Sequence, residues 1–373
     1  MATQITASPT ISSPAIRWDI GTAYELFISL HVLNSPEDFG LRASWAAGVR
    51  SRVPAESRKI LEELYSMTGV PLKWLSTLPE PKDAITALWA LKQIPPAERL
   101  LQLYSVREAC VMVCDTDKEK KSQEIMQALL RVSEERTWSQ ADLALLTDYL
   151  HMHEKKYSKE QVEGYLDWVS RPEEAGEAFL VALQAYYQAF FEEEEKRVAP
   201  ILAQGLEHAQ QRAQQLDFNA LFSELSQGVQ LNEEFQAPNY ILAPAFWTTP
   251  LIFFDRVDKD TLLLFFGVRP ANMSAIPGEL VPDGLVRTLK ALGDPSRLKI
   301  LNYLAKEELT PSELARRLHL RAPTVTHHLS ELRLSGLVNL RIQGQEKRYS
   351  ARIEALDLMC NILKDFLQAP PEK

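Results

Sequence analysis

The 373-residue chain has three cysteines, Cys110, Cys114 and Cys360, and no paired framework of the kind that staples small secreted folds. A reducing, cytoplasmic setting is expected. Long apolar runs are missing too. The most apolar stretches, 178–191 and 261–266, are too short or too interrupted by polar groups to span a bilayer, so no membrane role is expected. Residues 1–15 hold Ser, Thr and Pro but no basic run leading into an apolar core. They match neither a signal nor a transit peptide and read as a flexible tail. No glycine-rich phosphate loop, serine nucleophile elbow or HExxH helix stands out, so neither an enzyme nor a cofactor is expected. Internal repeats are absent, and no low-complexity tract extends beyond the tail.

What is present becomes informative once the charge is divided. The whole chain carries 41 Lys and Arg against 50 Asp and Glu, a net −9. Residues 285–368 alone hold 14 basic and 9 acidic side chains, or +5, which leaves −14 for the rest. A basic segment is drawn to phosphate, and an acidic remainder limits how much of the protein can lie along a nucleic acid.

Residues 16–268 read as a helical domain ending in a β-hairpin. Helices are expected from Ile20 to Leu30, Ala55 to Met67, Asp83 to Leu91, Lys118 to Ser133, Ser139 to Glu154, Ser158 to Ser170 and Glu173 to Gln215. Ser35-Pro36-Glu37-Asp38 has the form of a cap and first turn. Pro200 is expected to kink or break the longest helix, and Glu192–Glu195 reads as a solvated face. The aromatic-rich stretches Ile241–Trp247, Leu251–Phe254 and Leu262–Phe266 suggest a hairpin turning at Asp258-Lys259-Asp260, with room for one more strand before it. Three prolines and two glycines mark 269–284 as a linker.

Local chemistry is clearest in residues 285–368. Leu285 to Leu292 forms one helix, and Asp294-Pro295-Ser296 starts a second. Thr310 can cap a third helix, with Pro311 suited to its first turn and Glu313 reaching back as in a capping box. After the break at His319 to Ala322, Val325, Leu329 and Leu332 recur at helical spacing and point into a core. Gly336 can end that helix. Val338, Leu340 and Ile342 then alternate with Asn339 and Arg341 in a strand, Gln343-Gly344-Gln345 turns, and Lys347-Arg348-Tyr349 returns. Ile353 to Leu367 forms a last helix with a wide apolar stripe. The fold class expected is mainly α: a helical domain with a small β-hairpin, then an α+β winged helix-turn-helix domain.

The ordered strings LKALGDPSRLKILNYL, LTPSELARRLHL and PTVTHHLSELRLSGLV, followed by a wing ending in KRY, resemble the ArsR family of winged-helix transcriptional regulators over about the last 85 residues. The resemblance implies a homodimer paired through its first and last helices and bound to a pseudo-palindromic operator in double-stranded DNA. The N-terminal region is also similar to the domain found in larger ArsR-like proteins of unassigned ligand. Metal-sensing members carry cysteines before the recognition helix or His and carboxylate pairs on the last helix. Here 311–315 has no Cys and 354–366 no His, so neither metal site is expected.

Thr324, Thr326 and His327 lie on the accessible side of the second helix of the motif, suited to the major groove. Arg321 stands where the family often has a polar pair and can meet a phosphate or a guanine edge. Gln343, Gln345, Lys347 and Arg348 belong to the wing, where backbone or minor-groove contact is expected. His328 sits beside core-facing Leu329 and reads as packed; Arg297 and Arg333 are secondary phosphate candidates, or ordinary surface charges.

In the large domain, Cys110 and Cys114, with His151 and His153, have ligand chemistry for a transition metal. The flanking Val111, Met112 and Val113 favour a core segment instead. Trp45, Trp74, Trp89, Trp138, Trp168, Tyr186 and Tyr187 could line an organic-ligand pocket, but core packing is the default. The chain is therefore expected to be a repressor with a sensor domain for a small molecule or partner. A DNA-tethered enzyme, or an architectural protein without a ligand, is the alternative.

Overall fold

A computed structural model describes residues 14–104, 116–152, 157–230, 236–343 and 346–368. Seven strands form two sheets among the described residues. Strands β1 (Ala15–Trp18), β3 (Asn239–Ala245), β4 (Phe253–Asp258) and β5 (Thr261–Gly267) make one sheet in the order β1-β3-β5-β4. Strands β2 (Val229–Gln230), β6 (Val338–Gln343) and β7 (Glu346–Ala351) make the other, in the order β2-β6-β7.

The first sheet is a wall between two cores. Side chains alternate across a strand, so Ile241, Ala243, Leu263 and Phe265 join the large helical core, whereas Tyr240, Leu242, Leu262, Leu264 and Phe266 face a second, smaller one. Burial on both faces explains the unbroken apolar run at 262–266. The expected hairpin is present as β4 and β5, antiparallel with a register shift between Arg256 and Asp258. Its further strand is β3, which lies parallel to β5 and to β1. Parallel neighbours need long connections, and the partner β1 comes from the other end of the domain, starting at Ala15, the last residue of the segment read as a tail.

The longest helical stretch runs through Pro172–Tyr186, a π-helical turn at Tyr187–Phe191 and Glu192–Ala213. Pro200 does not break it; Val198 and Leu202 on either side are fully buried, so packing outweighs the lost backbone bond. The acidic run at its start is not a uniformly solvated face. Glu194 is buried and paired with Arg197, and Glu195 accepts from the Thr22 hydroxyl and the Ala84 amide, holding the starts of two other helices. The signal at Ser35–Asp38 yields only a 3-10 turn, Pro36–Phe39; the next α-helix begins at Ala43.

The smaller core joins the N-terminal domain to the wing. Ala209, Leu221, Phe222 and Val229 pack there with Leu340 and Ile342 of the wing. Residues 269–284 are pinned as well: Asp283 accepts from Ser274 and from the amide of Ala275, and Ala275 O accepts from Arg197. A third core, including Ile300, Leu314, Val325, Leu329, Leu332 and Val338, belongs to the C-terminal domain. No helix among the described residues is long and apolar enough to cross a membrane.

Candidate nucleic-acid interface

The helix-turn-helix begins with the expected cap. Thr310 Oγ1 accepts from the Glu313 amide at 3.2 Å, and Glu313 Oε2 accepts from the Thr310 amide at 2.8 Å. That bond holds the Glu313 carboxyl below the usual glutamate range. The supporting helix spans Pro311–Leu318 and stops where His319 takes a left-handed conformation, φ 54°. The recognition helix follows as Ala322–Leu334.

Val325, Leu329 and Leu332 are fully buried and fix the helix by one face. Arg321, Thr324, Thr326, His327 and Ser330 are exposed on the rest. The Thr326 hydroxyl donates back to Ala322 O at 3.0 Å, so its oxygen is presented to solvent as an acceptor. His328 is half-buried, and its Nδ1 is enclosed without a hydrogen-bond partner among the described residues.

In the wing, β6 and β7 pair with Arg341 opposite Arg348 and Ile342 opposite Lys347. Like charges placed directly across strands repel, and each arginine has its own carboxylate. Arg341 pairs with Glu308 at 3.2 Å; Arg348 pairs with Glu346 at 2.9 Å and lies 3.9 Å from Glu313. Lys347 is exposed and has no ion pair among the described residues. The backbone of Gln343 lies in β6, but its side chain and all of Gln345 fall outside the described residues.

Two secondary candidates are occupied elsewhere. Arg297 donates to the carbonyls of Ala291 and Lys290, closing the preceding helix. Arg333 is only 8% exposed and donates to the carbonyls of Ser226 and Gln227. Sequence pattern missed Arg316, exposed on the last turn of the supporting helix and without an ion pair among the described residues. It also missed Arg287, whose position on an apolar helix face was the available signal.

The larger domain gives less chemistry. Cys110, Cys114 and His153 lie outside the described residues, and His151 is exposed. Among the described residues no group of three or more His, Cys, Asp or Glu side chains could hold a metal. Trp45 stacks on Trp247 at 5.6 Å, and Trp138 and Trp168 donate to Asp167 and Glu63, whereas Trp89 is 58% exposed and departs from the expected core packing. An apolar cavity of about 40 Å³ lies among residues including Leu100, Met126, Leu129, Ser133 and Tyr165. It has room for a water or two.

Residues 294–339, from the cap of the second helix of this domain into β6, match the model of the bacterial regulatory protein arsR family. Nodulation protein NolR of Rhizobium meliloti is 34% identical over 97 residues, 26% of this chain and 80% of that protein. The chain belongs to the arsR family. Transcriptional repressor SdpR of Bacillus subtilis is 30% identical over 78 residues, 21% of this chain and 87% of SdpR. Transcriptional activator HlyU of Vibrio cholerae is 37% identical over 75 residues, covering 20% of this chain and 69% of HlyU. A solved HlyU structure matches 23% of this chain and 94% of its own at 34% identity, with a TM-score of 0.19. This is a DNA-binding transcriptional regulator domain joined to a large N-terminal region that the family model does not reach.

Proposed function

We propose that the protein is a repressor that binds a pseudo-palindromic operator in double-stranded DNA as a homodimer. Its N-terminal domain receives a small molecule or protein partner as the signal, and the chain is not an enzyme. The observation that carries the DNA-reading role is the row of Arg321 at the N-cap and Thr324, Thr326 and His327 on the recognition helix, all exposed while the opposite face of that helix is locked into the core. Arg316 and Lys347 flank that row with cationic groups that have no ion pair among the described residues. Phosphate contacts set register and base-edge contacts set sequence. The row supplies groups for both.

Dimerisation is supported by a second feature. Val286 and Leu289 on the helix Asp283–Leu292, and Ile353, Leu358 and Leu367 on or beside the last helix Glu354–Gln368, are between 37% and 72% exposed. Such a patch fits an isologous two-fold contact, which would place two recognition helices about 34 Å apart, one turn of DNA. The repressor reading follows from relatives named as repressors, including SdpR and the arsenical resistance operon repressor of Staphylococcus xylosus.

In vitro selection from random duplexes with the full-length protein, followed by footprinting, tests the reading. One discrete palindromic site is expected. Uniform coating of any duplex would favour an architectural role, and no retention of DNA would remove the reading. Every tryptophan lies before residue 248, so a metabolite and metal screen read by intrinsic fluorescence and operator release tests the sensor role.

A further inference from the structure

The C-terminal end of the recognition helix meets the N-terminal domain at two separate points, each made by an arginine. We propose that these contacts form a clamp through which the N-terminal domain sets the pose of the recognition helix and wing. Arg287 and Arg333 are its positioning residues and do not themselves touch DNA. The proposal rests on the operator-binding dimer reading given above.

A helix ends with carbonyls that have no partner within it and with partial negative charge, so buried cations can be held there. Arg287 Nη1 donates to Leu334 O at 2.8 Å, and the Thr288 hydroxyl donates to Ser335 O at 3.3 Å. The other arm of the same guanidinium donates to Phe39 O at 3.0 Å and Gly40 O at 3.4 Å. One side chain therefore ties the last turn of the recognition helix to a turn near the start of the chain. Gly40 has φ +67°, and a Cβ there would sit 2.4 Å from Arg287 Nε, so the bridge requires glycine.

Arg333 makes the second point. Its Nη1 donates to Gln227 O at 3.0 Å and its Nη2 to Ser226 O at 3.2 Å. The chain then enters β2, which lies parallel to β6 with Val229 opposite Leu340, and Leu340 N donates to Gly228 O at 2.9 Å. Gly228 has φ +90°, and a Cβ on it would strike Asn339 Oδ1 at 2.0 Å. The recognition helix and the wing thus share one anchor, five residues long, supplied by the N-terminal domain.

The anchor has a mechanical link to the domain interior. It follows the helix Phe218–Leu225, whose Glu224 receives two hydrogen bonds of 2.8 Å from Arg212 near the end of the long helix Glu192–Ala213. The other end of that long helix carries the buried Glu194, paired with half-buried Arg197. A displacement of the long helix reaches the clamp through one short helix and one ion pair. Because Val325, Leu329 and Leu332 lock the recognition helix into its own domain, a tilt at the clamp moves the winged helix as one body, with the reading groups at the end far from the clamp. Thr324 is ten residues from Leu334, roughly 15 Å along the axis. A tilt of about 10° then moves it by roughly 2.6 Å, enough to break a base-edge hydrogen bond.

The test uses the full-length protein and an operator selected by the wild type, with half-site spacing lengthened or shortened by one and two base pairs. Arg333→Met keeps the buried stem and removes both hydrogen bonds. Gly40→Ala disturbs the other point from outside the winged helix. The wild type is expected to prefer one spacing by tenfold or more. Both variants should reduce that preference to threefold or less while leaving the salt dependence of binding unchanged. A fall of about 1.8 in the log–log salt slope for Arg333→Met, about 0.9 for each protomer of the dimer, would make Arg333 a phosphate contact and overturn its assignment. An unchanged spacing preference in folded Gly40→Ala would overturn the clamp even if Arg333→Met failed to fold. Should the wild type select no operator, the regulator reading falls and takes the clamp with it. Selection followed by spacing-blind binding of the wild type sinks the clamp alone.

Discussion

Arg348 in the wing lies 3.9 Å from Glu313, the carboxylate that closes the capping box on Thr310, and 2.9 Å from Glu346 beside it in the same strand. The free protein therefore holds one wing cation in an acidic bracket and leaves its neighbour Lys347 unbracketed. A phosphate must compete with two carboxylates for Arg348 but only with water for Lys347. Lys347→Ala is expected to lower the salt slope of operator binding by about 1.8, about 0.9 for each protomer of the dimer, and Arg348→Ala by less. Anisotropy titrations over a range of salt concentrations measure both. No loss at either residue would remove the wing assignment, and equal losses would show that the two carboxylates do not hold Arg348 back.

Thr310 is buried and supplies the only side-chain oxygen at the start of the supporting helix that accepts from the Glu313 amide. Thr310→Ala should cost about 1 kcal/mol, within the 0.5–2 range for lost caps, and Thr310→Ser should restore most of it. Urea denaturation of the purified variants reads the difference. A loss indistinguishable from zero would mean that the wing contact Leu309–Tyr349, with bonds of 3.0 and 2.9 Å, fixes this helix start without the cap.

The reader was legible because its signals are local. Cap, turn and helical spacing all act within a few residues of Thr310, Gly336 or Val325. What escaped the sequence depends on distant partners. Arg333 reads as a surface cation in a helix, but its acceptors lie more than a hundred residues earlier at Ser226 and Gln227. Glu194 and Glu195 sit in a run of four acidic residues, and only tertiary packing decides that these two turn inward. The parallel pairing of β1 with β3 was equally hidden, since four residues alternating between exposed and half-buried carry little pattern. The helix Phe218–Leu225 and the two-residue strand after it were too short to register, although Asp217 caps that helix by accepting from Ala220 N.

Glu25 is fully buried and accepts backbone N–H groups of Phe246 and Trp247 at 2.7 and 3.2 Å. Burial pushes its pKa from 4.5 to about 8, with nearby Glu194 adding to the rise and Arg269 opposing it. The folded protein thus holds a proton that the unfolded chain releases at lower pH. Stability from this group is complete below about 4.5, declines as pH rises towards 8, and levels off above that. Urea midpoints followed by tryptophan fluorescence from pH 5 to 9 should show the decline. Glu25→Gln should flatten it while lowering stability throughout, because its amide nitrogen meets a backbone N–H. Parallel profiles for the two proteins would exclude Glu25 as the source.

Leu289 is 47% exposed on the first helix of the C-terminal domain, and Leu358 is 51% exposed on the last. Neither supports the fold of a single chain, so a polar residue at either place should change monomer stability by no more than about 0.5 kcal/mol. Both lie in the apolar patch assigned to the two-fold contact, where a buried, unpaired carboxylate is costly. Leu289→Asp and Leu358→Asp are therefore expected to sediment as monomers with near-normal thermal midpoints. They should also lose operator affinity on the order of 10²-fold, since a monomer engages one half-site and forfeits the intramolecular second contact. A single half-site probe separates this from damage to the reading helix: it engages one recognition helix at a time, so the wild-type dimer and the monomeric variants should bind it about equally well per protomer. Dimers that persist in both variants would move the contact elsewhere, and an equal loss on the half-site probe would show that the substitutions had reached the recognition helix itself.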